Sequence, residues 1–333
     1  MTIDMHSHWI PPELAEELRH RAVAPRITKD KSGREFMQQP RGAFPLSKDF
    51  EKLSNRLTYM DRCGIDASVL SISAVIGIER LPAAESLPLS RLFAEAVSAA
   101  HLKYPDRIFG LATLPIANMT IAAEEFERAL NLPGVVGALI PGNAFLTLER
   151  ALPFRPLFEI AQKYSAHIMV HTGILPNDTS FPPSDDVDNA RERRVTLDMQ
   201  ARISSNMITL CLTDFLEPYP DVTVQCHNLG GNIPFELDRL DHISLDRDAS
   251  LETPSSKIRR SKVLVDCNSM GARGIERAFE VYGPNRIIYG TDGTEFGADW
   301  SRNAIRDARI SDSDKEAILS TNAMPIIARR VMK

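Results

Sequence analysis

The 333-residue sequence predicts an α/β fold, a closed (β/α)8 TIM barrel, on three observations. Eight short β-rich runs alternate with longer helical patterns, and the short connections between them imply parallel βαβ units. Eight such units in about 300 residues match a closed barrel in size. After the first strand comes H-S-H-W, where an open doubly wound sheet usually carries a glycine-rich phosphate turn. No internal repeat, low-complexity segment or second domain breaks the pattern, so residues 1–333 read as one domain.

T-I-D-M-H (2–6) reads as the first strand and P-P-E-L-A-E-E-L-R-H-R as the helix after it. Residues 24–48, with several Pro, Gly and basic residues, read as an irregular insertion in the first β/α connection, either a lid or a plain surface loop. A helix near 49–63 leads to strand S-V-L-S-I-S-A (68–74), and a helix over about 88–103 leads to strand R-I-F-G-L-A-T-L-P (107–115). T-I-A-A-E-E-F-E-R-A-L is helical, G-V-V-G-A-L-I-P (134–141) is a strand, 155–165 a helix and H-I-M-V-H (167–171) the fifth strand. A Pro/Asp-rich loop at 175–188 precedes a long helix over about 191–216. Strand V-T-V-Q-C-H (222–227), helix 234–245, strand K-V-L-V-D-C (262–267), helix 272–282 and strand R-I-I-Y-G-T-D (286–292) follow. Helical patterns close the chain.

Hydrophobic residues make up 43% and charged residues 25%, as in ordinary soluble globular proteins. The net charge of −5 shows no basic domain, so a nucleic-acid partner is not expected. The short basic groups R-E-R-R (191–194) and S-K-I-R-R-S-K (256–262) read as solvated faces. Cys63, Cys211, Cys226 and Cys267 form no C-x-x-C pair and read as free thiols of a reducing compartment. The first residues lack the pattern of a signal peptide, and no apolar run approaches a membrane span. A cytoplasmic protein with no membrane partner is the expectation.

Chemistry-bearing residues gather at the predicted strand ends, where barrels of this kind place their active sites. Side chains two apart on a strand share a face, so His6 and His8 project together, about 7 Å apart at Cα. His171 ends strand five, His227 ends strand six and Asp292 ends strand eight. Three histidines and an aspartate from this set make a nitrogen/oxygen donor group that suits zinc best, with manganese, iron or cobalt as alternatives. Asp292 can bind the ion, accept a proton, or do both. Trp9 follows the His pair, either to stack on a planar substrate or to fill space beneath the insertion. Asn143 follows strand four on the same face, either to donate to a substrate or to end the strand.

I-D-M-H-S-H, Y-M-D-R-C-G-I-D (59–66), M-V-H-T-G, L-G-G-N-I-P-F (229–235) and I-I-Y-G-T-D fall in order along nearly the whole chain. Together they resemble the amidohydrolase superfamily. They look most similar to its single-metal branch, which contains α-amino-β-carboxymuconate-ε-semialdehyde decarboxylase and the metal-dependent aromatic-acid decarboxylases. The resemblance implies a barrel of the metal-dependent hydrolase type holding one divalent ion, Zn2+ before Mn2+, on His6, His8, His171 and Asp292. The two-metal branch bridges its ions with a lysine after strand four, and A-L-I-P-G-N has none here.

By the same resemblance, His227 stands beside a metal-bound water as acid or base, and Asp292 shares the proton transfer. Arg41 and Arg239 hold the carboxylate of a small-molecule substrate, Arg239 possibly in a neighbouring subunit's site; a planar guanidinium suits that task. The implied activity is non-oxidative decarboxylation of an unsaturated or aromatic carboxylic acid. Hydrolysis or hydration of a bond next to a carbonyl is the alternative on the same ligands, and a homodimer is expected. Two features depart from the family pattern. H-N-L-G-G is one residue longer than usual, so that either His227 or Asn228 faces the ion. T-D-G-T-E-F replaces an aromatic and a proline after the last aspartate and places Glu295 near the site.

Overall fold

The structure, a computed structural model, describes residues 1–39, 42–46, 51–178, 193–293 and 297–331. Among these, the insertion in the first connection carries strands β2 (Arg26–Lys29), β3 (Glu35–Gln39) and β4 (Gly42–Pro45). The other eight strands form one sheet in the order β1 (Ile3–His8), β5 (Ala67–Ser71), β6 (Ile108–Ala112), β7 (Val135–Pro141), β8 (His167–His171), β9 (Thr223–Cys226), β10 (Leu264–Asp266) and β11 (Ile287–Ile288). Every neighbouring pair in that order is parallel. The ring closes where Met5 N donates to Tyr289 O at 3.0 Å and Asp292 N to His6 O at 2.8 Å. This is the predicted barrel.

Alternation along the strands divides the core into two layers. Phe109 and Met169 join Ile3, Met5, Val69 and Ile288 in one buried cluster, against which Ile326 and Ile327 of the C-terminal helix pack. Their strand neighbours Ile108, Ile168 and Val170 belong to a second cluster, shared with the surrounding helices. Most predicted elements stand within a few residues of their expected limits. The predicted eighth strand shortens to two residues, because Tyr289 N turns away to Ile318 O at 2.9 Å. The long helix expected over 191–216 becomes a wide turn at Arg193–Asp198 followed by the helix Met199–Leu212.

The insertion is not irregular. β2, β3 and β4 form an antiparallel sheet. The β2–β3 turn is set by Asp30, whose Oδ1 accepts from the backbone N–H of Ser32 at 2.8 Å and of Arg34 at 3.0 Å. Ile27 and Met37 anchor this small sheet by burying their side chains in the outer core. Among the described residues no helix is long and apolar enough to cross a membrane, and all four cysteines are free.

Candidate active site

One irregularity in β1 aims the first two histidines. Asp4 pairs with Ser68 but Ser7 pairs with Leu70, so β1 carries one extra residue between them. Such a bulge re-aims the side chains beyond it. Ser7 therefore turns outward, where its Oγ accepts from Arg56 Nη1 at 2.9 Å. His6 and His8 turn into the mouth of the barrel.

There they meet His171 and Asp292. Asp292 Oδ1 lies 3.2 Å from His6 Nε2, 3.0 Å from His8 Nε2 and 3.9 Å from His171 Nε2. One ligand atom from each of these four residues falls within 4.8 Å of all the others. Every Nδ1 is engaged on the far side. His6 Nδ1 donates to Asp266 Oδ2 at 3.1 Å and His171 Nδ1 to Thr172 O at 2.9 Å. His8 Nδ1 meets Ser71 Oγ at 3.0 Å, and that hydroxyl gives its own proton to Ser7 O. Each neutral ring therefore presents a bare Nε2 to the cluster. His6 Nε2 is fully buried and has no hydrogen-bond partner. Imidazoles fixed through the outer nitrogen, with the inner one free, are the usual arrangement of metal-bound histidine. The donor set fits a divalent cation.

The electrostatics agree. Burial alone would raise the Asp292 carboxyl, but the charge of His6 and hydrogen bonds from the three imidazoles hold it well below its ordinary range. Burial opposes a charge on His6, yet Asp266 and Asp292 outweigh it and push this imidazole up to about 10. Two carboxylates thus call for positive charge at this point.

A buried scaffold holds the ligands. Asp266 Oδ2 also accepts from Gln225 Nε2 at 2.7 Å, Gln225 Oε1 meets His167 Nε2 at 3.0 Å, and His167 Nδ1 meets Thr223 Oγ1 at 2.9 Å. Asp4 binds both ends of the ring: it accepts from His6 N at 3.1 Å and from Thr291 Oγ1 at 2.7 Å. Sequence reading missed Asp4, Ser71 and Asp266. Asp266 ends its strand in K-V-L-V-D-C, so the rule that found the histidines also points to it.

His227 lies beside the cluster. Its ring stacks on His171 with centroids 4.7 Å apart and stands 5.8 Å from His6. Thr172 N donates to its Nε2 at 3.1 Å, which leaves the proton of the neutral ring on Nδ1. Nδ1 is buried and has no partner among the described residues. Burial, then the charges of His171 and His6, push this imidazole well below its ordinary value. Asn228 turns elsewhere, its Oδ1 accepting from Asn268 Nδ2 at 2.8 Å. The extra residue of H-N-L-G-G is absorbed by four successive left-handed residues, Asn228, Leu229, Gly230 and Gly231, with φ of 50°, 51°, 69° and 73°.

A cavity of about 150 Å³ adjoins the cluster, with Thr172, Asn143, Arg80, Arg202 and Gln39 among its walls. Thr172 Oγ1, 3.0 Å from His227 Nε2, joins the two. The other expected substrate contacts fall as follows. Asn143 lines the cavity, but its Nδ2 donates to Asp178 Oδ2 at 2.7 Å and its Oδ1 accepts from Arg202 at 3.2 Å. Trp9 is not in the cavity wall. It is 3% exposed, its ring lies 6.5 Å from Phe93 and its Nε1 donates to Glu51 O at 3.0 Å, so it fills space rather than stacking on a ligand. Arg239 is exposed on the helix Ile233–Arg247, outside the cavity of its own chain. Arg41 and Glu295 lie outside the described residues.

A parallel eight-stranded barrel with three imidazoles and a carboxylate converging at its strand ends defines the class of metal-dependent barrel enzymes. Within that class the chain belongs to the amidohydrolase family, whose model, described as "Amidohydrolase", matches residues 3–326. Among curated proteins, a gamma-resorcylate decarboxylase of Rhizobium sp. (strain MTP-10005) is 24% identical over 292 residues, covering 80% of this chain and 84% of its own. One of Polaromonas sp. (strain JS666 / ATCC BAA-500) is 25% identical over 317 residues, covering 84% and 91%. A crystal structure of a dihydroxybenzoic acid decarboxylase from Polaromonas sp. JS666, with bound manganese and 2-nitroresorcinol, superimposes with a TM-score of 0.68 at 18% identity, over 98% of this chain and 96% of that one.

Proposed function

We propose that this chain is a divalent-metal-dependent, non-oxidative decarboxylase of an aromatic carboxylic acid. One observation carries the reading: three bare Nε2 atoms gather around Asp292 Oδ1 with every Nδ1 already engaged. The decarboxylase names of the relatives support it. His6, His8, His171 and Asp292 would hold the ion. The donor set favours Zn2+, and the manganese of the Polaromonas structure supports Mn2+ as the alternative. When bound, the ion supplies Lewis-acid polarisation of substrate oxygens.

The reaction exchanges a C–CO2 bond for a C–H bond. The ring carbon takes a proton, the electron pair of the broken bond returns to the ring, and CO2 leaves neutral. Asp292 is the carboxylate placed to carry that proton: its Oδ2 is shared with Asn268 Nδ2 at 3.1 Å. His227 offers its Nδ1–H to a substrate oxygen, and the stacking on His171 fixes the ring that presents it. The helix Ile233–Arg247 exposes Phe235 and Ile243 at 59% and 52%, one turn to either side of Arg239. This face supports a homodimer in which Arg239 serves the partner's site, in a soluble cytoplasmic enzyme.

The test is product analysis on metal-loaded protein with a panel of hydroxylated benzoic acids. Stoichiometric CO2 and the decarboxylated ring are expected. A water adduct or a pair of fragments without CO2 would replace this reading with hydration or hydrolysis.

A further inference from the structure

Two arginines that sequence reading passed over stand in the cavity wall, Arg80 and Arg202. Arg80 ends the short turn Ile78–Arg80 that follows β5, the second strand of the ring. Arg202 stands on the helix Met199–Leu212, which follows β8, the fifth. The two walls touch: a methyl group on Gly173 would lie 2.6 Å from Ala74 Cβ. The cavity between them is otherwise largely apolar, lined by Ala74, Val75, Ile174 and Ile203. A dry cavity of about 150 Å³ accepts one benzene ring, so this volume suits a single aromatic ring.

The charge in the wall has no local counterpart. Arg80 Nε is buried without a hydrogen-bond partner, and its guanidinium makes no ion pair among the described residues. Its neighbour Glu79 is buried with Oε1 unpartnered, and burial pushes that carboxyl up to about 8, so it is protonated at neutral pH and does not offset the arginine. Arg202 is positioned by Asn143 Oδ1 at 3.2 Å. Asp178 orders this wall, accepting from Asn143 Nδ2 at 2.7 Å and pairing with Arg150. Planar guanidinium groups over an apolar slot are suited to a carboxylate carried on a flat ring.

We propose that Arg80 and Arg202 form an anion subsite, and that the substrate is a single-ring aromatic acid bearing a second acidic group. The inference rests on the decarboxylase reading: the leaving carboxylate lies at the metal cluster, and the second acidic group lies against the arginines. In this division of labour the subsite fixes which ring carbon faces Asp292.

The experiment is calorimetric titration of the metal-loaded protein with two probes, benzoate and benzene-1,3-dicarboxylate. Wild type is expected to bind the dicarboxylate about 10–100-fold more tightly, the range of a charge-assisted contact. Arg80→Met is expected to abolish that preference while benzoate binding and metal content stay the same. A second variant, Val75→Asp, places a negative charge in the same wall at a residue already 40% exposed, and is expected to abolish the preference too. Equal binding of the two probes by wild type would overturn the subsite. So would a preference that survives both substitutions. CO2 release is measured separately: an Arg80-dependent preference without CO2 from any acid keeps the subsite and removes the decarboxylase reading, and CO2 release without the preference does the reverse.

Discussion

His6, His171 and Asp292 hang from strands tied into a closed ring, whereas Arg80, Asn143 and Arg202 hang from a turn, a loop and a helix outside it. In the first region almost every polar atom around the ligands has a fixed partner, and the bare nitrogens are the exception. Asp266 alone accepts from His6, Gln225 and the backbone of Asn228 and Asn268. In the second region an arginine and a buried carboxyl stand side by side with unpartnered atoms. The difference teaches a division between chemistry and selection. The strand ends hold ligands rigidly for one kind of reaction, and the mouth leaves polar atoms to be satisfied by whatever is bound.

The largest effect is expected where the ring region is most constrained. Gly231 has φ of 73°, and a methyl group there would lie 2.4 Å from Gln200 O. Gly231→Ala should cost about 3 kcal/mol or more of stability in denaturant unfolding, from strain plus overlap. A loss under about 1 kcal/mol would show that this turn is softer than the ring it follows.

Glu79 probes the mouth by pH. Its folded-state value is raised from 4.5 to about 8 by burial. The folded chain keeps a proton that the unfolded chain loses, so stability falls as pH rises through that window and levels off above it. The fall should be on the order of 3 kcal/mol. Glu79→Gln should flatten the profile of unfolding free energy against pH between 5 and 8. An unchanged slope would remove Glu79 from the account.

Asp266→Asn separates the two regions directly. The amide no longer enforces the His6 tautomer, and affinity for Zn2+ should drop about 10–100-fold in chelator competition. Val75→Asp, in the mouth, should leave that affinity where it was. Equal effects of the two variants would erase the distinction. The smallest change expected is Trp9→Phe, which loses the bond to Glu51 O and should cost about 1 kcal/mol of stability. A collapse of catalysis with folding intact would instead return Trp9 to the substrate.

The same contrast explains what the sequence disclosed. Alternating strands with His6, His8, His171, His227 and Asp292 at their ends follow from period and spacing, which are local properties of the chain. The bulge in β1 that aims His6 and His8 is invisible there, because it is a matter of register with β5. Arg80 and Arg202 are 122 positions apart by their numbers, and only the folded loops bring them to one cavity. Arg239 was chosen by spacing after the glycine pair, and lies on the outside of its own barrel. The small sheet of the insertion was missed because its strands are four or five residues long, too short for periodicity to register.

The central claim is that His6, His8, His171 and Asp292 form one divalent-metal site. Elemental analysis of purified wild type and His171→Ala, with folding checked by circular dichroism, tests it most directly. The account predicts about one zinc or manganese ion per chain in wild type, lost in the folded variant. A wild type free of metal after reconstitution, or one holding two ions per chain, would contradict it.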